Sequence, residues 1–470
     1  MSVFTPALMT LTEVAEAIAT KQVSSREVTQ SSLARIDAWN PQLNAFMAIE
    51  AEEALAAADD ADAALARGEN RGALHGVPLA HKDMYYEAGK VVTCGSLIRK
   101  DWVADTTATC LQRLKDAGSI RTGSLQMVEF AYGPLGHNSH YGAVRNPWNT
   151  AHATGGSSSG SGSAVAARLT FAALGSDTGG SIRMPANYCG VTGLKTTVGR
   201  VSRAGVMPLS HSLDTVGPLA QTAADCALLL GLMAGADAAD PTASNAPVQD
   251  YAAATRKSAR GLTIGIPASF YVDDLDADVA RVYEAAIATL KSEGVNIVQV
   301  TLPDQRAITA ACQFVLTVEA ATVHKRWMLE RPGDYSPQVL ARLQNGFAVP
   351  AVTYLEAMRW RGQALAEHLA AVSGVDAVLA PVSPLPAPTI AETDVGNSQG
   401  AEALMQRITR FTRPINYLGL PALSIPAGFS ASGLPIGLQL IGKPFDEATV
   451  LQIGGAFQRA SDFHTRWPEM

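Results

Sequence analysis

Three short pieces of this 470-residue chain carry side chains that can act together on a carbonyl group. The first is Lys82, in Ala80-His81-Lys82-Asp83, just after a predicted strand. The second is the run Gly155-Gly156-Ser157-Ser158-Ser159-Gly160-Ser161-Gly162-Ser163. The third is Gly175-Ser176-Asp177-Thr178-Gly179-Gly180-Ser181-Ile182-Arg183, whose Ser181 lies 24 residues beyond Ser157. A serine hydroxyl attacks well only when a base takes its proton. A lysine can be that base if burial keeps its amine neutral. Two glycines before a serine leave consecutive N–H groups free to converge on one point, which is how an oxyanion hole is built.

The Gly/Ser run allows other readings. It can be a flexible linker, although it sits between Pro147-Trp148-Asn149 and an apolar helix rather than at a domain end. It lacks the lysine of a G-x-x-x-x-G-K-[ST] phosphate loop and does not match G-x-G-x-x-G. Gly156-Ser157-Ser158-Ser159-Gly160 matches the G-x-S-x-G nucleophile elbow with Ser158 central. That mechanism needs an acid and then a histidine downstream, and His211, His324, His368 and His464 stand in no supporting local motif.

The elements that must hold these pieces read as an α/β protein. Leu11–Ile18, Ser25–Trp39 and Ala48–Arg67 have helical spacing or propensity, so residues 1–70 form a helical N-terminal layer. Thr107–Ala117 reads as a helix and Ser119–Leu125 as a strand. Ala164–Leu174 and Ala223–Ala234 read as buried helices. Thr263–Ile266, Asn296–Val300 and Ala377–Leu379 read as buried strands, with helices at Val279–Glu293 and Tyr354–Val372. Such alternation predicts a layered architecture. Asp237–Asp250 and Thr389–Gly400 read as loops, the second a candidate mobile lid.

Composition narrows the class. Hydrophobic residues make up 47% and charged residues 17%, which excludes intrinsic disorder. Lys and Arg total 36 against 43 Asp and Glu, so no cationic excess is available for phosphates. No apolar run approaches the ~18 residues of a membrane span, and Met1–Thr20 lacks the basic start of a signal peptide. Five cysteines without C-x-x-C read as reduced thiols of a cytoplasmic protein.

The three pieces, in this order and spacing, resemble the amidase signature family. The resemblance runs from Leu74-His75-Gly76-Val77-Pro78-Leu79 through Glu129-Phe130-Ala131, Arg145-Asn146-Pro147-Trp148 and Gly193-Leu194-Lys195 to Gly433–Leu440. It implies one α/β/α layered domain over residues 1–470, with a central mixed twisted sheet covered by helices. Within it, 71–220 is the signature core and 221–470 holds the variable substrate region and C-terminal motifs. It also implies a Ser–cis-Ser–Lys triad: Ser181 as nucleophile, Ser157 as bridging serine after a cis peptide bond, and Lys82 as general base. The oxyanion hole is the N–H groups of Thr178, Gly179, Gly180 and Ser181. Met127, Gly155, Gly156, Phe314 and Trp327 are the expected substrate contacts. No cofactor or metal is expected, since His137-x-x-His140 lacks a third ligand.

The resulting expectation is a stand-alone hydrolase of small-molecule amides or carbamates. Aryl or apolar groups are suggested by Phe314, Trp327, Met328, Phe347 and Tyr354. Expected partners are the small substrate and a second copy in a homodimer, with neither nucleic acid nor membrane. Two rivals stand beside it: the ammonia-producing component of a glutamine-dependent tRNA amidotransferase (its A chain type), and a non-catalytic binding protein. Departures from the family pattern (His81, Ser124–Met127, His137, His140 and Thr196) bear on substrate rather than chemistry. Arg183 reads as a partner of Asp177 that holds the glycine loop.

Overall fold

The computed structural model describes residues 6–396 and 400–470. Three strands, β1 (Phe46–Ile49), β2 (Pro78–Lys82) and β3 (Ile120–Leu125), form a small sheet in the order β1-β3-β2. β2 and β3 run parallel, and β1 runs antiparallel to β3. Two short strands, β4 (Arg145–Asn146) and β5 (Asn149–Ala153), pair as a hairpin ahead of the Gly/Ser run.

The large sheet has eight strands. They are β6 (Ala172–Asp177), β7 (Thr192–Lys195), β8 (Thr215–Ala220), β9 (Thr263–Pro267), β10 (Asn296–Val300), β11 (Ala377–Pro381), β12 (Ala422–Phe429) and β13 (Pro435–Ile441). Their order is β10-β9-β11-β13-β12-β7-β8-β6. The β10, β9 and β11 end is parallel, and from β11 onward every pairing is antiparallel. Helices surround this mixed sheet, among them Ser159–Ala166, Arg183–Cys189, Ala223–Met233, Ala277–Ser292 and Glu447–Arg459. One hydrophobic cluster runs through the molecule from Leu11 to Phe457.

β6, at one edge of the large sheet, lies beside β2 of the small one. The Ala80 N–H donates to Thr170 Oγ1 at 3.2 Å, and the Leu174 N–H donates to His81 Nδ1 at 3.2 Å. His81 is thus a buried bridge between the sheets, and burial pushes its pKa down to about 3, so the ring stays neutral. This junction sets the ends of β2 and β6, Lys82 and Asp177, side by side.

Several expectations shift. The segment read as one helix over Ala164–Leu174 is instead the end of the helix Ser159–Ala166 followed by β6. Arg168, at φ 59°, breaks the helix between them. A short apolar run does not by itself distinguish helix from buried strand. The N-terminal layer is not purely helical, because Phe46–Ile49 pairs with β3 and the following helix begins at Ala51. The Ser25–Leu43 helix starts as the sequence predicts: Ser24 and Glu27 close a reciprocal capping box. The helix Gln305–Glu330 is long and apolar enough to cross a membrane by length and composition. It is a core helix here, burying Ile308, Cys312, Val315, Ala320 and His324. The five cysteines are free and buried. Of the loop Thr389–Gly400, residues 397–399 lie outside the described residues.

Candidate active site

Lys82 ends β2 and is 1% exposed. Its Nζ lies 2.8 Å from Ser157 Oγ, 2.9 Å from Ser176 Oγ and 3.1 Å from Ser158 Oγ. Burial pushes its pKa down to about 7, against the pull of Asp214 and Asp177. Three hydroxyls saturate an amine, which is either an ammonium donating three hydrogen bonds or a neutral amine donating two and accepting one. Ser158 Oγ also donates to the Ser176 carbonyl at 3.3 Å, so toward Lys82 it acts as acceptor. Ser157 is therefore better placed than Ser158 to give its proton to the amine.

Ser157 stands just ahead of the helix Ser159–Ala166, and the Gly156–Ser157 peptide bond is cis. The Gly/Ser run is wholly buried, so it is neither a linker nor an exposed elbow. Ser158, central in the elbow reading, is held against β6 by its two bonds to Ser176. That approach requires Gly175: a Cβ there would sit 2.8 Å from Ser158 Oγ and 2.7 Å from Leu219 Cδ1. Ser158 and Ser176 are contacts of Lys82 that the sequence did not single out as such. Their signal lay in the motifs flanking Ser157 and Ser181.

The chain then turns at the end of β6 over Asp177. This carboxylate accepts from the N–H groups of Gly180 (2.8 Å) and Ile182 (3.2 Å), from Arg183 Nε (3.0 Å) and Nη2 (3.1 Å), and from Asn416 Nδ2 (2.8 Å). Burial alone would raise its pKa; the Arg183 guanidinium, with Lys195 and Asn416, instead holds it well below the usual carboxylate range. Arg183 continues to Gln439 Oε1 (2.9 Å), the Thr412 carbonyl (2.9 Å) and Asn416 Oδ1 (2.6 Å). It is fully buried scaffold. The Gly180 N–H departs from expectation: assigned to the oxyanion hole, it is engaged by Asp177, leaving Thr178, Gly179 and Ser181 as the other backbone donors of the turn.

Gly180 has φ 129°, and a Cβ there would meet Thr412 Oγ1 at 2.4 Å. Thr412 in turn donates to the Gly179 carbonyl at 2.6 Å. Gly180→Ala is therefore expected to push the turn off Thr412 and to lower kcat at least about 100-fold, since small displacements of reacting groups cost that much. Kinetics of the folded variant beside its thermal melt check this.

Thr178, Gly179, Gly180 and Ser181 line a cavity of about 430 Å³ together with Gly156. The Ser158 N–H donates to the Ser181 carbonyl at 3.4 Å, tying this turn to the Gly/Ser run. The opposite wall comes from Thr309, Gln313 and Thr317 on the helix Gln305–Glu330, with Arg342, Glu402 and Arg413. Of the expected substrate contacts only Gly156 lines this cavity. Gly155 and Met127 are buried behind it. Phe314 is off the face carrying 309, 313 and 317 and is 40% exposed. Trp327 lies about 15 Å further along the same helix from Thr317, stacked on Phe130 at 5.5 Å. Phe347 is on the surface.

The departing histidines have ordinary partners. His137 Nε2 meets Thr393 Oγ1 at 2.8 Å, and His140 Nε2 meets Glu129 Oε1 at 3.1 Å. Among the described residues no group of three or more His, Cys, Asp or Glu is placed to hold a metal ion.

A family model described as Amidase matches residues 27–451. The chain belongs to the amidase signature family, and it is an amidase-type hydrolase. It is 40% identical to the A component of glutamyl-tRNA(Gln) amidotransferase from Chromobacterium violaceum, over 98% of this chain and 99% of that protein. The solved structure of the same component from Thermotoga maritima superposes with a TM-score of 0.83 at 31% identity, covering 98% of this chain and 97% of that one. A structure described as a vestigial protein complex bearing on the origins of an s-triazine catabolic enzyme gives a TM-score of 0.90 at 36% identity, covering 96% and 98%.

These relatives overturn the expectation of a stand-alone hydrolase of small-molecule amides or carbamates, and of partners limited to that substrate and a second copy. The motifs are common to both kinds of enzyme and do not separate them; the 40% identity to the amidotransferase component is what weighs against the expectation. The apolar residues on which the aryl preference rested lie on the surface or in the core, away from the cavity.

Proposed function

We propose that this chain is the amide-cleaving component of a glutamine-dependent amidotransferase of the glutamyl-tRNA(Gln) type, releasing ammonia for use by a partner protein. The observation that carries this reading is 40% identity over nearly the whole of both chains to the A component of such an enzyme. The polar cavity wall of Arg342, Arg413, Glu402 and Gln313 supports it, because it suits a small charged amide better than an aryl one. A cytoplasmic setting goes with the reading.

In this scheme neutral Lys82 takes a proton from Ser157, which takes one from Ser181. Ser181 Oγ attacks the amide carbon, and the oxyanion is received by backbone N–H groups of the Thr178–Ser181 turn. Ser157 protonates the leaving nitrogen as the C–N bond breaks, giving ammonia and a Ser181 ester. Water then cleaves the ester through the same relay, giving glutamate and free enzyme.

Glutamate release from glutamine is to be measured with the chain alone and with its partner proteins and glutamyl-tRNA. The expected result is turnover that rises in the full assembly, with an acylating glutamine analogue mapped to Ser181. Glutamine left intact under every condition, or an adduct elsewhere, overturns the reading.

A further inference from the structure

A second cavity, of about 450 Å³, opens at the far end of β6 from Asp177 and shares no lining residue with the one at Ser181. Arg168, just ahead of β6, forms part of its wall together with Arg256, Arg459, His464, Trp467 and Glu13. Arg168 is 5% exposed. Its Nη1 donates to the Leu8 carbonyl at 3.2 Å and the Met9 carbonyl at 3.5 Å, while Nε and Nη2 meet no acceptor among the described residues. Arg35 donates to the Ala167 and Arg168 carbonyls and so sets a further positive charge beside it. Burial pushes the Arg168 pKa down to about 10, which still leaves a cation at neutral pH. The carboxylates within reach of its field serve other donors: Asp225 accepts from Thr12 and Thr222, and Glu13 accepts from the Thr10 N–H.

Arg459 donates to the Thr255 and Lys257 carbonyls, and Arg256 is exposed with no acceptor among the described residues. Among those residues none of the three arginines forms an ion pair. The chain has 43 acidic residues against 36 basic ones, so three guanidiniums lining a wall with one carboxylate depart locally from the composition. A buried guanidinium without acceptors loses solvation that nothing in the protein returns. A carboxylate fills one guanidinium fork; a phosphate brings about two charges and three strong acceptor oxygens, enough to serve several. Trp467 is 44% exposed, with its ring 5.6 Å from Arg168 Cζ, and offers a face on which an adjoining base can stack. We propose that this cavity is a phosphate-binding site, in which Arg168, Arg256 and Arg459 hold the phosphate of a nucleotide or of a nucleic-acid backbone. The site is separate from the Ser181 cavity and does not depend on the glutamine reading.

Calorimetric titration of the whole chain with inorganic phosphate, AMP, adenosine, hexaglutamate and uncharged tRNA tests this, in wild type, R256A, R168M and S181A. The expected result is AMP binding with a Kd below about 1 mM that weakens as salt is raised. R256A and R168M should each weaken it at least about tenfold, and adenosine should bind at least about tenfold more weakly than AMP. S181A should bind AMP as wild type does, since the two cavities share no residue. Transfer RNA that competes with AMP makes a nucleic-acid backbone the source of the phosphate; tRNA that does not compete leaves a free phosphate ester. Three results overturn the site: no binding of phosphate, AMP or tRNA; equal binding by wild type and R256A; or hexaglutamate bound as tightly as AMP, which would make the cavity a seat for an acidic peptide. Should R168M fail to fold, R256A decides, because that exposed side chain supports no other residue.

Discussion

Lys82→Met is expected to lower kcat by about 10⁴-fold, the scale on which removal of one member disables a nucleophile–base unit. Methionine fills a similar volume but cannot take a proton, so Ser157 has no base and Ser181 stays a hydroxyl. Wild type, with the Lys82 pKa near 7, should show kcat/KM rising tenfold per pH unit below about pH 7 and levelling above it. The slope has this sign because the neutral amine is the active form. The same depression from 10.5 makes the unfolded chain bind one more proton at this side chain between about pH 7 and 10.5, so this contribution to stability rises with pH across that window. Buried cysteines act in the opposite direction as their unfolded thiols ionise, so the informative quantity is the difference between wild type and K82M in urea denaturation at pH 7 to 9. More than a tenth of wild-type activity in K82M, or a pH profile flat from 5 to 9, would remove Lys82 from the role of base.

Why Lys82 and the two serines were legible and the cavity was not follows from where each is encoded. Lys82, Ser157 and Ser181 sit in local motifs, and their residue types fit one chemistry. Their meeting depends on β2 lying beside β6 across two separate sheets, which no local pattern states; His81, the bridge between them, reads in the sequence only as a departure from the family pattern. The cavity wall comes from 309–317, 342 and 402–413, brought together by a 26-residue helix and the chain returning to Asp177 through Asn416. Phe314 and Trp327 attracted attention as aromatic residues, yet it is the 3.6-residue period of that helix that chooses Thr309, Gln313 and Thr317 for the inner face. Of the strands at the centre of the large sheet, β13 was visible only as the motif Gly433–Leu440 and β12 not at all, because Pro426, Gly428 and Gly437 interrupt an ordinary strand pattern. The proposed place of the chain in a larger assembly lies beyond both, since motifs common to hydrolases and amidotransferase components carry no information on a partner.

Arg183→Met should destabilise the fold by about 3–5 kcal/mol, the cost of leaving a buried charge without its partner. Asp177 and Arg183 are both fully buried, and the carboxylate has no water to turn to. It also holds the N–H groups of Gly180 and Ile182, so the damage falls on the turn that carries Ser181, and kcat should drop even in molecules that stay folded. D177N/R183M should lose less than the sum of the two single variants, because no uncompensated charge then remains. The pH dependence gives an independent sign. In wild type the Asp177 carboxyl is depressed below its unfolded value of 3.8, so its contribution is present above that pH and lost as the pH falls through the folded value. Loss of Arg183 leaves burial, the largest single influence, opposed by Lys195 and Asn416; the folded carboxyl is then expected to rise above 3.8, so that the folded variant takes up a proton and its deficit shrinks as the pH falls from 7 toward 5. Urea midpoints for wild type, R183M and D177N/R183M at pH 5 and 7 measure this. A deficit in R183M under about 1 kcal/mol at pH 7, or one that widens on acidification, would mean that the ion pair does not hold the turn that carries Ser181.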